Sequence, residues 1–294
     1  MHSVFTAQRR SNCGCADGGS ISATYAVADA GPLAEAVGAL RLRSPELSAA
    51  SGLWSWQRRA LALSLALLGV GMALAPEATL IGLLAVMAVP FLCVVALRTV
   101  ALWQLAHPLP KSPPAVVSPV PLPVYTVLVP LFREAGVVGD LLASLRALDY
   151  PADRLEIMLV VEAVDGETRA ALACARLDAH MQVLVVPEGD PRTKPRAIQY
   201  ALQFARGEYV VVYDAEDAPE PDQLHRALAA LSAGGERLGC MQAQLNIYNS
   251  DATWFTRQFI VEYTALFDCI LPTLERLRLP VPLGGTSNHF PGIA

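Results

Sequence analysis

Two long apolar runs stand out near the N-terminal third of the chain. Residues 60–75 carry no charge, Pro76-Glu77 interrupts the run, and residues 78–97 form a second uncharged run. A helix needs roughly 20 apolar residues to cross the hydrocarbon core of a bilayer. The pattern predicts a two-helix transmembrane hairpin over 53–105, with flanking tryptophans as interfacial anchors. A long apolar helix packed inside a soluble protein would give a similar pattern.

From about residue 124 the pattern changes to short apolar runs that alternate with segments of helical period. Four strand–helix units are expected, with strands at 124–129, 155–162, 181–186 and 208–213 and helices at 137–147, 167–178, 194–205 and 221–233. Apolar strands separated by helices predict an α/β fold with a mainly parallel sheet and helices on both faces. A further strand at 240–247 and a helix at 254–277 are expected after these units.

The remaining segments complete the expected domain organisation. Residues 1–52 are rich in Ala, Gly and Ser and are expected to be mostly disordered, with a short helix at 32–42. Residues 106–123 are rich in proline and are expected to form a stiff linker. The α/β domain then occupies 124–294.

The composition limits the classes of protein to which the chain can belong. The chain of 294 residues is 53% hydrophobic, with a mean hydropathy of +0.39, which agrees with membrane helices beside a globular part. A net charge of -5 gives no basic field, so nucleic acid is not expected as a partner. The six cysteines are scattered apart from Cys13 and Cys15, which favours a reduced compartment and gives no zinc site.

Charges around the apolar runs predict how the protein sits in a membrane. Arginines precede the first run and follow the second, whereas the link at Pro76-Glu77 carries no Lys or Arg. Because positive charge concentrates on the cytoplasmic side, both flanks are expected there. The prediction is a multi-pass protein of a bacterial-type inner membrane with a cytoplasmic globular domain.

Carboxylates follow two of the expected strands. Asp214, Glu216 and Asp217 come directly after the fourth strand, and Asp165 follows the second. In a parallel sheet these acids share the edge at which α/β proteins bind ligands. Two carboxylates one residue apart can hold a hard divalent cation, which can clamp a diphosphate. The same acids also fit helix caps in ordinary turns, and the pattern alone leaves both interpretations open.

A basic turn opens the third expected helix. Pro195 suits the first turn of a helix, but positive charge at Lys194 and Arg196 opposes the helix dipole. The turn therefore indicates an anionic ligand, a nearby carboxylate, or a solvated basic surface. The turn from Phe132 to Glu134, after the first strand, is another place where a nucleotide can rest.

Taken in order and spacing, five segments resemble the processive, membrane-bound branch of the family-two inverting glycosyltransferases, the relatives of cellulose synthase. The resemblance runs from about residue 124 to 290. It rests on Val129-Pro130-Leu131-Phe132-Arg133-Glu134, Glu162-Ala163-Val164-Asp165, Thr193-Lys194-Pro195-Arg196-Ala197, Tyr213-Asp214-Ala215-Glu216-Asp217-Ala218-Pro219 and Leu283-Gly284-Gly285-Thr286-Ser287-Asn288. It implies a GT-A fold, a nucleotide-diphosphate sugar donor, a glycan or lipid acceptor, a surrounding lipid bilayer, and Mg²⁺ or Mn²⁺ as cofactor.

The resemblance also implies site residues. The nucleotide-sugar site would comprise Phe132, Glu134, Asp165, Lys194, Asp214, Gly285 and Thr286. The pair Asp214 and Glu216 matches the Asp-x-Asp motif that touches the ribose and holds the metal on the diphosphate. Glycines before Thr286 would permit close backbone approach to the transferred sugar.

The chain departs from the family pattern at several points. The family often has two adjacent acids where this chain has Val164-Asp165, and Glu216 replaces the second Asp of the metal motif. The family places its catalytic base in a Thr-Glu-Asp motif after the glycine loop and follows it with a Gln-x-x-Arg-Trp motif. Neither occurs here, so the base is expected beyond Ala294 and the chain is expected to be a truncated product with impaired transfer.

Two other function classes stay open on the sequence. A nucleotidyltransferase would normally carry a Gly-rich phosphate loop near its first strand, and residues 129–134 contain no glycine. The other class is a non-catalytic nucleotide-binding membrane protein derived from such an enzyme. Aromatic residues also recur through 254–267, where they fit an acceptor path or plain core and interfacial packing.

Overall fold

The computed structural model describes residues 30–49, 52–107, 121–235, 238–247 and 253–292. A first helix, α1, spans Ala30–Arg43 and is followed by a 3-10 turn at Pro45–Leu47. The short helix expected at 32–42 is therefore confirmed. The expected disorder of 1–29 and most of the expected linker lie outside the described residues.

Two long apolar helices follow, α2 over Ser55–Leu74 and α3 over Pro76–Ala106. They meet at the predicted break, where Pro76 occupies the first turn of α3, the position at which a missing N–H costs least. A Cβ on Gly71 would lie 2.7 Å from Thr79 Oγ1, so a glycine is needed where the helices approach. By length and composition both helices can cross a membrane, and their apolar windows are not buried, unlike a soluble core helix.

The globular part is built on a mixed, mainly parallel sheet. Its strands are β1 Tyr125–Leu131, β2 Leu155–Glu162, β3 Met181–Val186, β4 Tyr209–Val212, β5 Met241–Gln242 and β6 Asn288–Pro291. They are ordered β3-β2-β1-β4-β6-β5. The pairs β1–β2, β2–β3 and β1–β4 are parallel, whereas β6 runs antiparallel to β4 and β5. The strand ends of β1, β2 and β4 therefore share one edge, as predicted.

Helices cover both faces of this sheet. They are α4 Val138–Arg146, α5 Gly166–Cys174, α6 Lys194–Leu202 and α7 Gln223–Gly234. Alternate residues of β1 point to opposite faces, so Val127 packs in a core with α4, α5 and α7, whereas Leu128 packs in a core with α6. Leu33 of α1 joins the second core. The predicted two-sided α/β arrangement is confirmed.

The second half of the sheet differs from the prediction. Of the strand expected at 240–247, the structure forms β5 alone, two residues long. The partner strand β6 was not predicted. Only two residue pairs join β5 to β6, because the backbone changes direction at Ser287, just before β6, where φ is 55°. Strand pairing here is decided by a distant segment rather than by local pattern.

A long helical segment links this part of the domain to α3. It comprises α8 Trp254–Thr264, a π-helical turn at Ala265–Ile270 and α9 Leu271–Arg276. The wide turn ends two residues before Pro272, which lacks the N–H that an α-helix would use there. Thr273 and Arg276 both donate hydrogen bonds to Gln104 of α3, at 3.2 and 2.8 Å.

The aromatic residues along this segment differ in exposure. Trp254, Phe255 and Phe259 are exposed, Tyr263 is partly buried, and Phe267 is buried. Core packing therefore accounts for Phe267 and not for the exposed three. An interfacial position and an acceptor path both stay open for them.

Candidate functional site

A cleft of about 280 Å³ lies at the carboxyl edge of the sheet, and we call it the edge cleft. The end of β1, the start of α6 and the residue after β4 form its walls. Its lining residues are Pro130, Leu131, Phe132, Glu134, Glu162, Arg192, Thr193, Lys194, Ala197 and Asp214. The parallel register brings these segments together, although they are separated by up to about 80 positions in the chain. Four of the predicted site residues line this cleft.

Lys194 joins three of the predicted segments. Its ammonium group donates to a carboxylate oxygen of Asp214 and to the backbone carbonyl of Gly285, the latter at 2.7 Å. Both side chains of the ion pair are about one-third exposed, so the pair faces the cleft rather than the core. The unfavourable position of Lys194 at a helix start is thus explained by a nearby carboxylate, one of the alternatives that the sequence left open.

Acidic side chains near this lysine influence one another. The pKa of Glu134 is raised, first by partial burial and then by the charges of Glu216 and Asp214, while the Phe132 N–H and Lys194 oppose the shift. Glu216 itself is exposed. The charges of Glu216 and Asp214 thus disfavour ionisation of Glu134, and a cation bound between these carboxylates would relieve the repulsion, with Arg192 and Lys194 also lining the cleft.

The acidic turn offers a divalent metal few protein ligands. In the described residues, no group of three His, Cys, Asp or Glu side chains is placed to hold a metal by itself. Mg²⁺ in nucleotide sites commonly takes one or two carboxylates and completes its shell with phosphate and water oxygens. Asp214 and Glu216 are two such carboxylates, and they fit a cation that arrives with a diphosphate.

Asp217 holds the acidic turn against the glycine loop. Its carboxylate accepts hydrogen bonds from the Thr286 hydroxyl and from the backbone N–H of Asp214, the latter at 2.8 Å. Burial, with the charges of Asp214 and Glu216, raises the pKa of Asp217, although these two hydrogen bonds oppose the shift. The sequence placed Asp217 in the acidic cluster but gave no signal for this bridge to Thr286.

Asp165 is used structurally in the folded chain. It caps α5 by accepting from the Thr168 N–H at 3.1 Å, and it also accepts from the Arg133 N–H at 2.5 Å. Burial opposes its ionisation, but these hydrogen bonds outweigh that effect and hold its pKa below the ordinary value. The helix-cap interpretation is confirmed, and contact with a nucleobase stays a prediction.

A second hollow adjoins the edge cleft near Asp165. Its volume is about 510 Å³, and Phe132 and Arg192 line both hollows. The ring of Phe132 is about half exposed and lies 5.2 Å from the guanidinium carbon of Arg133. Arg133 has φ 60°, a conformation that its backbone hydrogen bond to Asp165 supports. The two hollows together offer room for an elongated ligand with an anionic end and a flat end.

Arg196 behaves differently from Lys194, its neighbour on α6. Its guanidinium group is buried and donates to Glu162 at 2.5 Å and to the Gly189 carbonyl. Of the alternatives left open for the basic turn, a nearby carboxylate therefore holds for Arg196 and a solvated surface does not, because Glu162 at the end of β2 binds the side chain in the interior. Arg196 supports the floor of the cleft and does not face a ligand.

His289 was not identified from the sequence. It lies on β6 directly after the glycine loop, is fully buried, and its Nδ1 lies 2.6 Å from the Tyr125 hydroxyl. Burial lowers its pKa to about 4, so the ring is neutral at pH 7. The proximity of His289 to the glycine motif was the available signal, but its burial depends on β6, which the sequence did not predict.

Comparisons with known proteins place this geometry in a family. A family model described as "Glycosyltransferase like family 2" matches residues 122–273. The β-monoglucosyldiacylglycerol synthase of Synechocystis sp. is 31% identical over 152 residues, covering 50% of this chain and 31% of that protein. Cellulose synthase 2 of Novacetimonas hansenii is 26% identical over 160 residues, covering 53% and 10%. The chain thus spans less than a third of the length of these two relatives.

A solved structure was also found in the comparison. It is the mannosyltransferase PcManGT from Pyrobaculum calidifontis in complex with GDP-Man and Mn²⁺, 24% identical, with a TM-score of 0.46. The match covers 69% of this chain and 60% of that chain. Together with the sheet order, the family match confirms the GT-A-like fold class that the resemblance implied.

Proposed function

The chain belongs to Glycosyltransferase like family 2, and from that membership we propose that it transfers a hexose, with inversion, from a nucleotide-diphosphate sugar to a glycan or lipid acceptor. The observation that carries the proposal is the junction of Lys194, Asp214 and Gly285 at the edge cleft. It unites the basic turn, the acidic turn and the glycine loop, which are far apart in the sequence. An ion pair with only a structural role would not require the basic turn, the acidic turn and the glycine loop to meet at an open cleft.

The donor is proposed to occupy both the edge cleft and the adjoining hollow. The base and ribose would lie near Phe132, Glu134 and Asp165, and the diphosphate near Lys194 and Asp214. Phe132 offers an exposed flat ring on which a base can stack. Lys194 can exchange its bond to Asp214 for one to a phosphate oxygen, because the pair is partly solvated.

Asp214 and Glu216 would hold Mg²⁺ or Mn²⁺ together with the diphosphate. When bound, such a cation neutralises the charge that develops on the leaving diphosphate. The carboxylates of this chain supply the hard oxygen ligands, and Asp217 fixes the backbone of the acidic turn through the Asp214 N–H.

The proposed transfer exchanges one bond for another at the anomeric carbon. The acceptor oxygen bonds to that carbon from the face opposite the diphosphate. The bond from the carbon to the phosphate oxygen breaks, and its electron pair leaves with the nucleoside diphosphate. The acceptor proton passes to a general base, which we do not assign, because Asp165 and Asp217 are engaged in holding loops. Gly285 and Thr286 would lie beside the transferred sugar.

We further propose a multi-pass membrane protein with a hairpin over 53–105, a linker over 106–123 and a cytoplasmic globular domain from 124. Support comes from the two long apolar helices and from the arginines that flank them. The hydrogen bonds from Thr273 and Arg276 to Gln104 would keep the globular domain against the end of α3.

The donor assignment can be tested by nucleotide binding to the detergent-solubilised full chain. UDP and GDP affinities would be measured by calorimetry with Mn²⁺ and with EDTA, in the wild type and in Asp214→Asn and Glu216→Gln. Asp140→Asn, an exposed acid on α4, is the matched control. We expect metal-dependent binding of at least one nucleotide, weakened about tenfold or more in the site variants and unchanged in the control.

Turnover is then examined by NMR of the anomeric proton of the product. Transfer with inversion supports the full proposal, and transfer with retention contradicts the inverting mechanism. Metal-dependent nucleotide binding without transfer to any glycan or lipid acceptor would favour the non-catalytic alternative. Equal affinity in the wild type and the site variants would remove the donor site from the edge cleft.

A further inference from the structure

We propose that Lys194 competes with the divalent cation for Asp214, so that the metal binds tightly only together with a diphosphate. This inference rests on the proposed function, since it concerns how the metal and the donor bind at the same site. Lys194 then has two roles in the edge cleft. It withholds Asp214 from a metal that comes without nucleotide, and it contacts the phosphate once nucleotide is bound.

The Lys194 ammonium group contacts two oxygens of the kinds that hard cations take as ligands. One is a carboxylate oxygen of Asp214, and the other is the backbone carbonyl oxygen of Gly285, at 2.7 Å. Divalent cations of the Mg²⁺ and Ca²⁺ type bind carboxylate oxygens, and Ca²⁺ also binds backbone carbonyl oxygens. A positive charge of the protein itself therefore already neutralises the carboxylate at which the proposed metal would bind.

Two other carboxylates at this edge of the sheet are engaged in holding the fold. Glu162 pairs with the buried Arg196, and Asp217 accepts a hydrogen bond from the Thr286 hydroxyl. In the part of the chain that the structure describes, no three His, Cys, Asp or Glu side chains are placed to hold a metal. A metal without nucleotide therefore has few other carboxylates to use, and at Asp214 it has to compete with the lysine.

This competition weakens metal binding in either of two ways. If the ammonium group stays at Asp214, it repels the metal, and a single and a double positive charge about 5 Å apart in water lower an affinity on the order of tenfold. If the metal displaces the ammonium group, the ion pair is lost, and the charge stays nearby because Lys194 is fixed at the start of α6. Salt screens part of the repulsion at this partly solvated pair.

A diphosphate removes this obstacle. Lys194 lines the edge cleft together with Arg192 and Thr193, and phosphate oxygens there can replace the oxygens of Asp214 and Gly285 as acceptors of charge-assisted hydrogen bonds. The stem of a lysine is flexible, so the ammonium group can move from carboxylate to phosphate. The released carboxylate and the diphosphate then bind the metal together. Metal and nucleotide therefore each raise the affinity for the other by the same factor.

Mn²⁺ binding without nucleotide tests this competition. Free Mn²⁺ would be measured by electron paramagnetic resonance during titration of the detergent-solubilised full chain, as wild type, Lys194→Met and Lys194→Arg. We expect Lys194→Met to bind Mn²⁺ about fivefold or more tightly than the wild type, because the competing charge is gone. Lys194→Arg keeps the charge and should stay within about twofold of the wild type.

Two further variants locate the gain in affinity. Combining Asp214→Asn with Lys194→Met should abolish it, since the carboxylate that binds the metal is removed. Arg226→Met removes an exposed positive charge that is paired with Asp222 on α7 and does not line the edge cleft, so it should leave Mn²⁺ affinity unchanged.

The sign of the effect should reverse when UDP or GDP is present. Lys194→Met should then weaken metal-dependent nucleotide binding about tenfold, because the contact to phosphate is lost. A lysine that only contacts phosphate would weaken nucleotide binding and leave Mn²⁺ binding alone unchanged. The gain in Mn²⁺ affinity therefore distinguishes competition from phosphate contact.

Equal or weaker Mn²⁺ affinity in Lys194→Met than in the wild type would overturn the proposal. So would a gain that persists in the double variant with Asp214→Asn, or an equal gain in Arg226→Met. If nucleotide still binds with Mn²⁺ in those cases, the donor assignment stands without the competition. If Lys194→Met gains Mn²⁺ affinity through Asp214 while no nucleotide binds the wild type, the competition stands and the donor assignment at the edge cleft fails by itself.

Discussion

Two ion pairs start from the same turn of α6 and end in different environments. Arg196 and Glu162 have side chains that are 2% and 9% exposed, whereas Lys194 and Asp214 are 34% and 31% exposed. Both cations come from one basic turn, and the sequence did not show which of them would be buried. The two carboxylates differ in burial, because Glu162 is the last residue of β2 and is itself buried, whereas Asp214 follows β4 and is partly exposed at the edge cleft.

Burial gives the two pairs different physical properties. A buried pair is isolated from water, so removing one partner leaves an uncompensated charge, and the pair is suited to holding structure. A partly solvated pair contributes little to stability, and water or a ligand can replace either partner at small cost. The comparison therefore predicts that stability depends on Arg196 and that ligand binding depends on Lys194.

The largest expected effect is on the buried pair. Arg196→Met should lower the free energy of unfolding by about 3–5 kcal/mol, because Glu162 is left buried and unpaired. Urea unfolding of the detergent-solubilised chain, followed by circular dichroism, measures it. The double variant with Glu162→Leu should recover much of the loss, since no charge is then buried alone. A double variant as unstable as the single one would show that the charge is not the cause.

His289 differs from both ion pairs, since it is a buried ionisable group that stays neutral and has no charged partner among the described residues. Burial lowers its pKa from 6.5 to about 4. The unfolded chain therefore binds more protons between these values, so stability that is complete above about pH 6.5 is lost as the pH falls toward 4. The size of the loss is on the order of 3 kcal/mol.

The measurement is the unfolding free energy at pH 7 and pH 4.5 for the wild type and His289→Gln. The raised pKa values of Glu134 and Asp217 change stability in the opposite direction over this range, so the difference between the two proteins isolates the histidine. The variant should lose less stability than the wild type on acidification. Equal losses would show that His289 is solvated or paired in the folded state.

These groups also differ in how well the sequence predicts their positions. The bounds of β2 and β3 match the prediction because mostly apolar runs specify strands covered on both faces. The meeting of Lys194 with Asp214 follows from parallel strands that end at one edge. The burial of Arg196 and His289 could not be predicted, because it depends on side-chain direction and on β6, a short polar strand formed through distant pairing.

The partly exposed pair should give an effect on binding rather than on stability. Lys194→Met is expected to change the free energy of unfolding by less than about 1 kcal/mol. If the proposed donor site is correct, it should weaken metal-dependent nucleotide binding about tenfold, since a charged contact to phosphate is lost. Calorimetry and urea unfolding on the same preparation measure the two quantities. A large loss of stability with intact nucleotide affinity would reverse the comparison between the two pairs.

A smaller loss of stability is expected when the packing of α1 against α6 is weakened. Leu33 of α1 packs in the core that includes α6, and Gln203 donates to the Pro32 carbonyl at 2.8 Å. Leu33→Ala should lower the free energy of unfolding by about 1 kcal/mol, below the usual range for a fully buried leucine because Leu33 is partly exposed. Val37→Ala, about half exposed on the same helix, is the control and should change it by less than about 0.5 kcal/mol.

Nucleotide affinity of Leu33→Ala then decides how independent the two pairs are. If α6 is fixed mainly by Arg196 and Glu162, loosening α1 leaves Lys194 in place, and the affinity should change less than about twofold. If the affinity falls as far as in Lys194→Met, the position of Lys194 depends on α1 as well as on the buried pair. The segment that precedes the apolar hairpin would then be a working part of the edge cleft, and the two pairs could no longer be treated as separate structural and binding elements.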